Sequence, residues 1–370
     1  MFQHRIDTLN LELTNHCNFD CDFCANHFIT RPKGFMDVGL AKRLITEAAE
    51  NKFCSRIVLH VMGEPFLHEN LFEVIDHAQK QKQKIVVVTN GSLLSAENAR
   101  RILHHAPDFL VISFHVGDEA SFRHRKAHIS YEKYKEMVFD FIEFKYEMKS
   151  HLPLEIECLS TLYMKSDRFQ ILDSLHEFQS FEKEWLELSR RLKKKYALRM
   201  KPPYVLLPGV NPLLEGLTLS LKLNYFYWAG AIHPIDTTLV PATKYQCEAP
   251  VLQCNVLWNG DLVPCCYDYD GELAYASVNH QSLIEAFLSQ AGEQYRNQFR
   301  KGGVIPLKCR KCLGALKNPD GTDYHPLRND TGPLDLGGVR IALGLLRKRF
   351  VLFHLRTALK AFWGKISVNK

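Results

Sequence analysis

Strand-like and helix-like stretches alternate through roughly the first 200 residues. Thr8–Leu13 alternates apolar and polar side chains. Ile57–Val61, Ile85–Val88, Phe109–Phe114, Leu154–Leu159 and Tyr196–Met200 are further strand-like runs. Between them lie Val38–Glu50, with Asp37 placed as an N-cap, then Leu71–Gln81, a helix from Ser95 to His104, Tyr131–Lys149 and most of Ser166–Lys195. Parallel strands cannot be joined by a tight turn, so this alternation demands a parallel sheet with helices outside it. The polar and glycine-bearing stops all fall at strand C-terminal ends, where α/β barrels and open sheets build their sites. Cys17–Cys24, Gly63-Glu64, Asn90 and Ser113 are therefore expected on one rim.

The stop after the first strand is the most specific. Cys17, Cys21 and Cys24 stand in C-x3-C-x2-C spacing on one short loop. Three thiolates so close suit a soft metal or an iron–sulfur cluster, and three ligands leave one coordination position open. A zinc knuckle completed by His16 or His27 is the alternative.

After Lys201 the alternation breaks on a series of prolines, and 206–246 reads as a connector containing the aromatic stretch Tyr225–Gly230. A second cysteine group follows. Cys247, Cys254, Cys265, Cys266, Cys309 and Cys312 lie within it, and Gly260-Asp261 marks a hairpin that would present Cys265 just beyond its second strand. Two cysteines flanking that hairpin and a C-x2-C knuckle make a closed four-thiolate site, iron–sulfur or zinc. Cys54 and Cys158 read as buried small apolar residues.

With 11 cysteines, no apolar signal core at the N-terminus and no long uncharged apolar run, the chain is expected in the cytosol, with its thiols in metal or redox use. The net charge is +6, but 336–370 alone holds eight Lys or Arg and no acid, which leaves −2 on the rest. A nucleic-acid footprint is not expected. The tail reads as a helix of mixed face that could touch the inner, anionic membrane surface peripherally.

The pattern Cys17-x3-Cys21-x2-Cys24, with Phe23 before the last cysteine, resembles the signature of the radical S-adenosylmethionine (radical SAM) superfamily. Met62-Gly63-Glu64-Pro65 resembles that family's Gly-Gly-Glu-Pro motif, with Met62 in place of the first glycine. Val88–Gly91 and Val111–Phe114 stand where its third and fourth strands end. Cys247-x12-Gly260-x4-Cys265 and the run Pro264–Glu272 resemble the SPASM/twitch auxiliary-cluster domain, in its short form with one cluster.

The resemblance implies a partial (βα)6 TIM-like barrel over 1–205 and a cysteine-rich domain over 247–315; it does not extend to 316–335, which reads as a linker from its composition, or to the basic helical tail. It implies two 4Fe–4S clusters, one on Cys17, Cys21 and Cys24 and one on Cys247, Cys265, Cys309 and Cys312. S-adenosylmethionine would bind through Gly63, Glu64, Asn90, Ser113 and Arg125. The expected activity is radical hydrogen abstraction from a small polar substrate, a sugar, aminocyclitol or glycan or lipid precursor, with oxidation through the auxiliary cluster. Glu155, Glu157 and Lys201 are the candidate bases. A reductant such as flavodoxin or ferredoxin is the expected protein partner. A peptide-modifying maturase is the second reading, and a non-enzymatic zinc protein a third of another class.

Overall fold

A computed structural model describes residues 5–161, 168–207, 209–222, 238–243, 247–317, 320 and 323–326. The aromatic stretch Tyr225–Gly230 and the basic tail lie outside the described residues.

Five strands follow the expected alternation: β1 (Ile6–Leu11), β2 (Cys54–Leu59), β3 (Ile85–Thr89), β4 (Phe109–Ser113) and β5 (Leu154–Leu159). They pair in parallel in chain order. The connecting helices are α1 (Val38–Glu50), α2 (Leu71–Lys80), α3 (Ala96–His105), the short α4 (Glu119–Phe122) and α5 (Tyr131–Glu147), with α6 (Leu175–Lys195) after β5. Local chemistry starts them. The Asp37 side chain accepts from Leu40 N, Ser95 from Asn98 N, and Ser174 forms a capping box with Glu177. Each helix then buries one stripe, as α1 does with Ala41, Leu44, Ile45 and Ala48. The strands bury their branched side chains against these stripes, and Leu9, Ile57, Ile85, Val87, Leu110, Ile112 and Ile156 are fully enclosed. That packing is the main source of stability.

The sixth parallel strand is not where the sequence pattern put it. No strand forms over Tyr196–Met200; Tyr196 caps α6 and the chain turns through Ala197 at φ +50°. The place beside β5 is taken by β7 (Leu217–Lys222), the second arm of a hairpin begun by β6 (Gly209–Leu214). The expected connector therefore opens with sheet. Alternating Leu217, Leu219 and Leu221 and the Glu215-Gly216 turn carry that signal in the sequence, which the neighbouring prolines obscure.

The cysteine-rich region joins the same sheet from the other side. After β8 (Thr238–Val240) and α7 (Ala249–Leu252), strand β9 (Gln253–Val256) runs parallel to β1, with Leu9 opposite Cys254 and Asn10 opposite Asn255. The buried Asn10 and Asn255 side chains hydrogen-bond at 2.8 Å across that seam. Strand β10 (Asp261–Val263) returns antiparallel and β11 (Ala276–Ser277) follows it. The full order is β11-β10-β9-β1-β2-β3-β4-β5-β7-β6. Among the described residues the sheet ends on β6 and β11 without closing, so the barrel is partial. Helices α8 (Leu283–Phe287), α9 (Gln290–Lys301) and α10 (Leu307–Cys312) complete this region, and β12 (Ala315–Lys317) and β13 (Asp323–Pro326) form a small second sheet with β8.

Candidate functional site

The strand C-terminal ends and their loops enclose one cavity of about 390 Å³. At one end it is lined by Cys17, Cys21 and Cys24. Gly63, Asn90, Ser113 and Arg125 follow from successive loops, and Glu157 and Lys222 lie at the far strands. A parallel sheet makes this inevitable, since it points all its strand ends the same way.

The cysteine loop is held from three directions. Asp20 N donates to Arg125 O at 3.2 Å and Asp22 N to His124 O at 2.8 Å, strapping it to the 3₁₀ turn Arg123–Arg125. Phe19 packs edge-on to Phe122 and Tyr134. On the second side, Gly63 has φ +79°, and a Cβ there would lie 2.3 Å from Thr14 O and 2.7 Å from His16 O, so only glycine fits. On the third, Thr30 and Arg31 bond to Asp270, and Arg31 pairs with the buried Glu12 at 2.6 Å.

His16 and His27 are engaged elsewhere. His16 stacks on Phe35 at 4.8 Å, and the two ring nitrogens of His27 contact Cys21 O and Asp20 at 2.8 and 2.9 Å. Among the described residues no three His, Cys, Asp or Glu side chains close on the position of a single ion. The thiols are instead spread along one cavity wall, as ligands to different atoms of a cluster are. Burial raises all three, Cys21 to about 11 and Cys24 to about 12, with the neighbouring cysteines adding to the rise at both. Bare, they are neutral thiols; a bound metal is what would deprotonate them.

Glu64 is fully buried and does not line the cavity. Its carboxylate accepts from Thr89 Oγ1 at 2.8 Å, Asn90 N at 2.7 Å and Phe66 N at 3.1 Å, tying the β2 loop to the end of β3. Burial, only partly offset by these donors, pushes it up to about 7. Arg125 is 2% exposed. Its Nη1 donates to Ser113 O and Phe114 O at 2.7 and 2.6 Å, and its guanidinium lies 4.7 Å from the Phe19 ring centroid. Its Nε is buried with no hydrogen-bond partner among the described residues. That orphaned donor on the wall of a cavity fits an anionic ligand such as a carboxylate.

At the far end Glu157 and Lys222 form an ion pair. Glu155, two residues earlier on the same strand face, does not line the cavity, and Lys201 is exposed beyond α6. Reading β7 from the sequence would have found Lys222. Also unforeseen are His60, His115 and Tyr267, all on the cavity wall. His115 adopts φ +48°, its Nδ1 is buried without a partner among the described residues, and burial, then Arg125 and Lys222, holds it well below the usual histidine range. It is therefore a neutral acceptor or donor poised over the cavity.

The second cysteine group also resolves. Cys247, Cys265, Cys309 and Cys312 line one small cavity, together with Tyr267 and Lys308. Cys254 is enclosed in the sheet seam. Cys266 packs away from that cavity, in a small apolar cluster that also takes in Cys24 and Met62. Tyr295 Oη lies 2.9 Å from Cys309 Sγ. Tyr267 lines both cavities.

Comparison with known proteins agrees with this geometry. Residues 11–153 match the radical SAM superfamily, and residues 247–313 match the iron–sulfur cluster-binding SPASM domain. A Pyrococcus furiosus protein named as the tungsten-containing aldehyde ferredoxin oxidoreductase cofactor-modifying protein is 26% identical over 39% of this chain and 41% of its own. The S-adenosyl-L-methionine-dependent 2-deoxy-scyllo-inosamine dehydrogenase of Niallia circulans is 27% identical over 31% of this chain and 47% of its own. These alignments thus span less than half of either relative. The crystal structure of SuiB from Streptococcus suis shares the fold at 13% identity and TM-score 0.52, over 80% of this chain and 68% of that one. The chain belongs to the radical SAM superfamily and carries a C-terminal SPASM-type iron–sulfur domain, and the cofactors these two domains imply are S-adenosylmethionine and 4Fe–4S clusters.

Proposed function

We propose that this protein is a radical SAM dehydrogenase of a small polyhydroxylated substrate, of the sugar or aminocyclitol kind. The observation that carries the reading is one cavity with two chemically different sides: three thiols on the loop after β1, and the Glu157–Lys222 pair on β5 and β7, with His115 between them against Phe23. Cys17, Cys21 and Cys24 would hold the first cluster, and Cys247, Cys265, Cys309 and Cys312 the auxiliary one. Arg125 would take the carboxylate of S-adenosylmethionine through its unpaired edge, the backbone at Gly63 its amino group, and Ser113 a ribose hydroxyl. Glu64 would act one layer back, by holding Gly63 and Asn90 in register. When bound, the first cluster and S-adenosylmethionine would supply the chemistry of hydrogen-atom abstraction, and the second cluster would supply a one-electron acceptor.

The chain's own residues do the rest. A hydroxyl losing its carbon-bound hydrogen must also lose its proton, and Glu157 is the carboxylate on the cavity wall to receive it. Lys222 lies against Glu157 and pairs with it. His115, neutral, offers Nδ1 to a neighbouring hydroxyl. An apolar substrate would leave the His115 ring nitrogen unpaired and cover the Glu157–Lys222 ion pair, which is why a polyol fits. The 27% identical relative named for 2-deoxy-scyllo-inosamine supports the same substrate class. An electron carrier such as flavodoxin or ferredoxin would supply the electron, and 336–370, with eight Lys or Arg and no acid, would contact an anionic membrane surface peripherally.

Anaerobic purification with iron and sulfide analysis tests the cofactor assignment. Incubation with deuterated candidate polyols, reading deuterium in 5′-deoxyadenosine, tests the substrate class. A colourless protein with stoichiometric zinc would sink the reading. Deuterium transfer from a peptide but from no polyol would replace it with a maturase.

A further inference from the structure

Asn90 stands at the end of β3, where the family resemblance implies a ribose contact. Its side chain offers one acceptor oxygen and two N–H donors, and all are consumed by the protein. Oδ1 accepts from Ser92 N at 2.8 Å and from Ser92 Oγ at 2.6 Å. Nδ2 donates to Asn18 Oδ1 at 2.9 Å and to Cys17 Sγ at 3.7 Å. Asn18 Nδ2 donates in turn to Ser92 Oγ at 2.7 Å. The three side chains thus form a closed ring, Asn18 to Ser92 to Asn90 and back to Asn18, with donor and acceptor matched at every link.

The ring decides which way the amide points. A backbone N–H can only donate, so the atom of Asn90 that meets Ser92 N must be the oxygen. The nitrogen then faces Asn18 and the sulfur. The backbone is pinned as well, with Asn90 N on Glu64 and Asn90 O accepting from Tyr134 Oη at 2.7 Å. The side chain has no capacity left for a ribose hydroxyl.

We propose that Asn90 is a positioning residue for the cluster at Cys17, its amide held by Asn18 and Ser92 so that an N–H rather than the oxygen faces the sulfur, and that this raises the cluster's reduction potential. The proposal rests on the assignment of Cys17, Cys21 and Cys24 as cluster ligands. Reduction adds negative charge to a cluster whose sulfurs carry much of it, so a donor to sulfur stabilises the reduced form more than the oxidised one. Turned over, the same amide would do the opposite, which is what the ring prevents.

The test is a redox titration of the full-length, cluster-loaded protein and of its Asn90→Ala, Ser92→Ala and Asn18→Ala variants. It follows the electron paramagnetic resonance signal that S-adenosylmethionine perturbs. In Asn90→Ala the reduction equilibrium should move three- to tenfold against the reduced form, roughly 30–60 mV at 59 mV per decade for one electron. Ser92→Ala and Asn18→Ala should move it the same way by less, because they loosen the amide without removing it. The auxiliary signal should stay in place, and so should S-adenosylmethionine affinity, within about twofold. An unmoved potential in Asn90→Ala at wild-type iron content overturns the proposal. So does an unmoved potential with lost S-adenosylmethionine affinity, the signature of a ribose contact. Where Asn90→Ala loses its cluster, the other two variants decide, and unmoved potentials in both overturn it. A wild-type protein with no S-adenosylmethionine-sensitive signal would instead refute the cluster assignment beneath it.

Discussion

Glu64→Gln separates the structural carboxylate from the cofactor chemistry around it. In the folded protein Glu64 accepts three hydrogen bonds and titrates near 7 against an ordinary 4.5, chiefly because of burial. Its folded value is the higher one, so the stability it contributes is fully present below about pH 4.5 and is lost as pH rises to about 7. The loss is roughly 3 kcal/mol. Glutamine matches the protonated acid in shape. It cannot present oxygens to both Asn90 N and Phe66 N, and one buried N–H left facing an amide costs about 1–3 kcal/mol.

At pH 5 the variant should therefore be the less stable protein. At pH 8.5 the wild type has given up its roughly 3 kcal/mol, and the difference should vanish or reverse sign. Urea unfolding of metal-free protein at the two pH values, followed by circular dichroism, reads this directly. Taking the difference between variant and wild type cancels the titrating groups that do not interact with Glu64. A difference that stays constant between pH 5 and 8.5 would refute the assignment of Glu64 as a buried, largely uncompensated carboxyl.

Gly63→Ala should lower iron content at the first site by more than half, since its Cβ would displace the Thr14 and His16 carbonyls immediately before Cys17; normal iron with normal S-adenosylmethionine cleavage would contradict that. Cys265→Ala should remove about half the total iron while S-adenosylmethionine cleavage persists, whereas Cys266→Ala and Cys254→Ala should keep full iron, because neither thiol lines the second cavity. Glu157→Gln and Lys222→Met should lower substrate oxidation at least tenfold while leaving substrate-free S-adenosylmethionine cleavage near wild type; equal loss of both would place the pair in cofactor binding. Lys201→Ala should leave both unchanged, in keeping with its exposed position beyond α6.

What the sequence determined by itself was local or nearly so. Three cysteines within eight positions share a site wherever the chain goes, and alternating strands and helices dictate a parallel sheet whose loops converge. The rim composed of the cysteine loop, Gly63, Asn90 and Ser113 follows from those two facts. The rest depended on pairings between distant segments. Strand β9 lies against β1 with Cys254 opposite Leu9, and that register buries Cys254 and leaves Cys265 at the second cavity. Strand β7, not Tyr196–Met200, pairs with β5, and so the cation beside Glu157 is Lys222 rather than Lys201. Asn90 was found by its place at a strand end, but its use was set by its near neighbour Ser92 and by Asn18, which only the folded chain brings to it. Hydrogen-bonding capacity is finite, and which partner claims it is decided by tertiary contact, on which sequence spacing is silent.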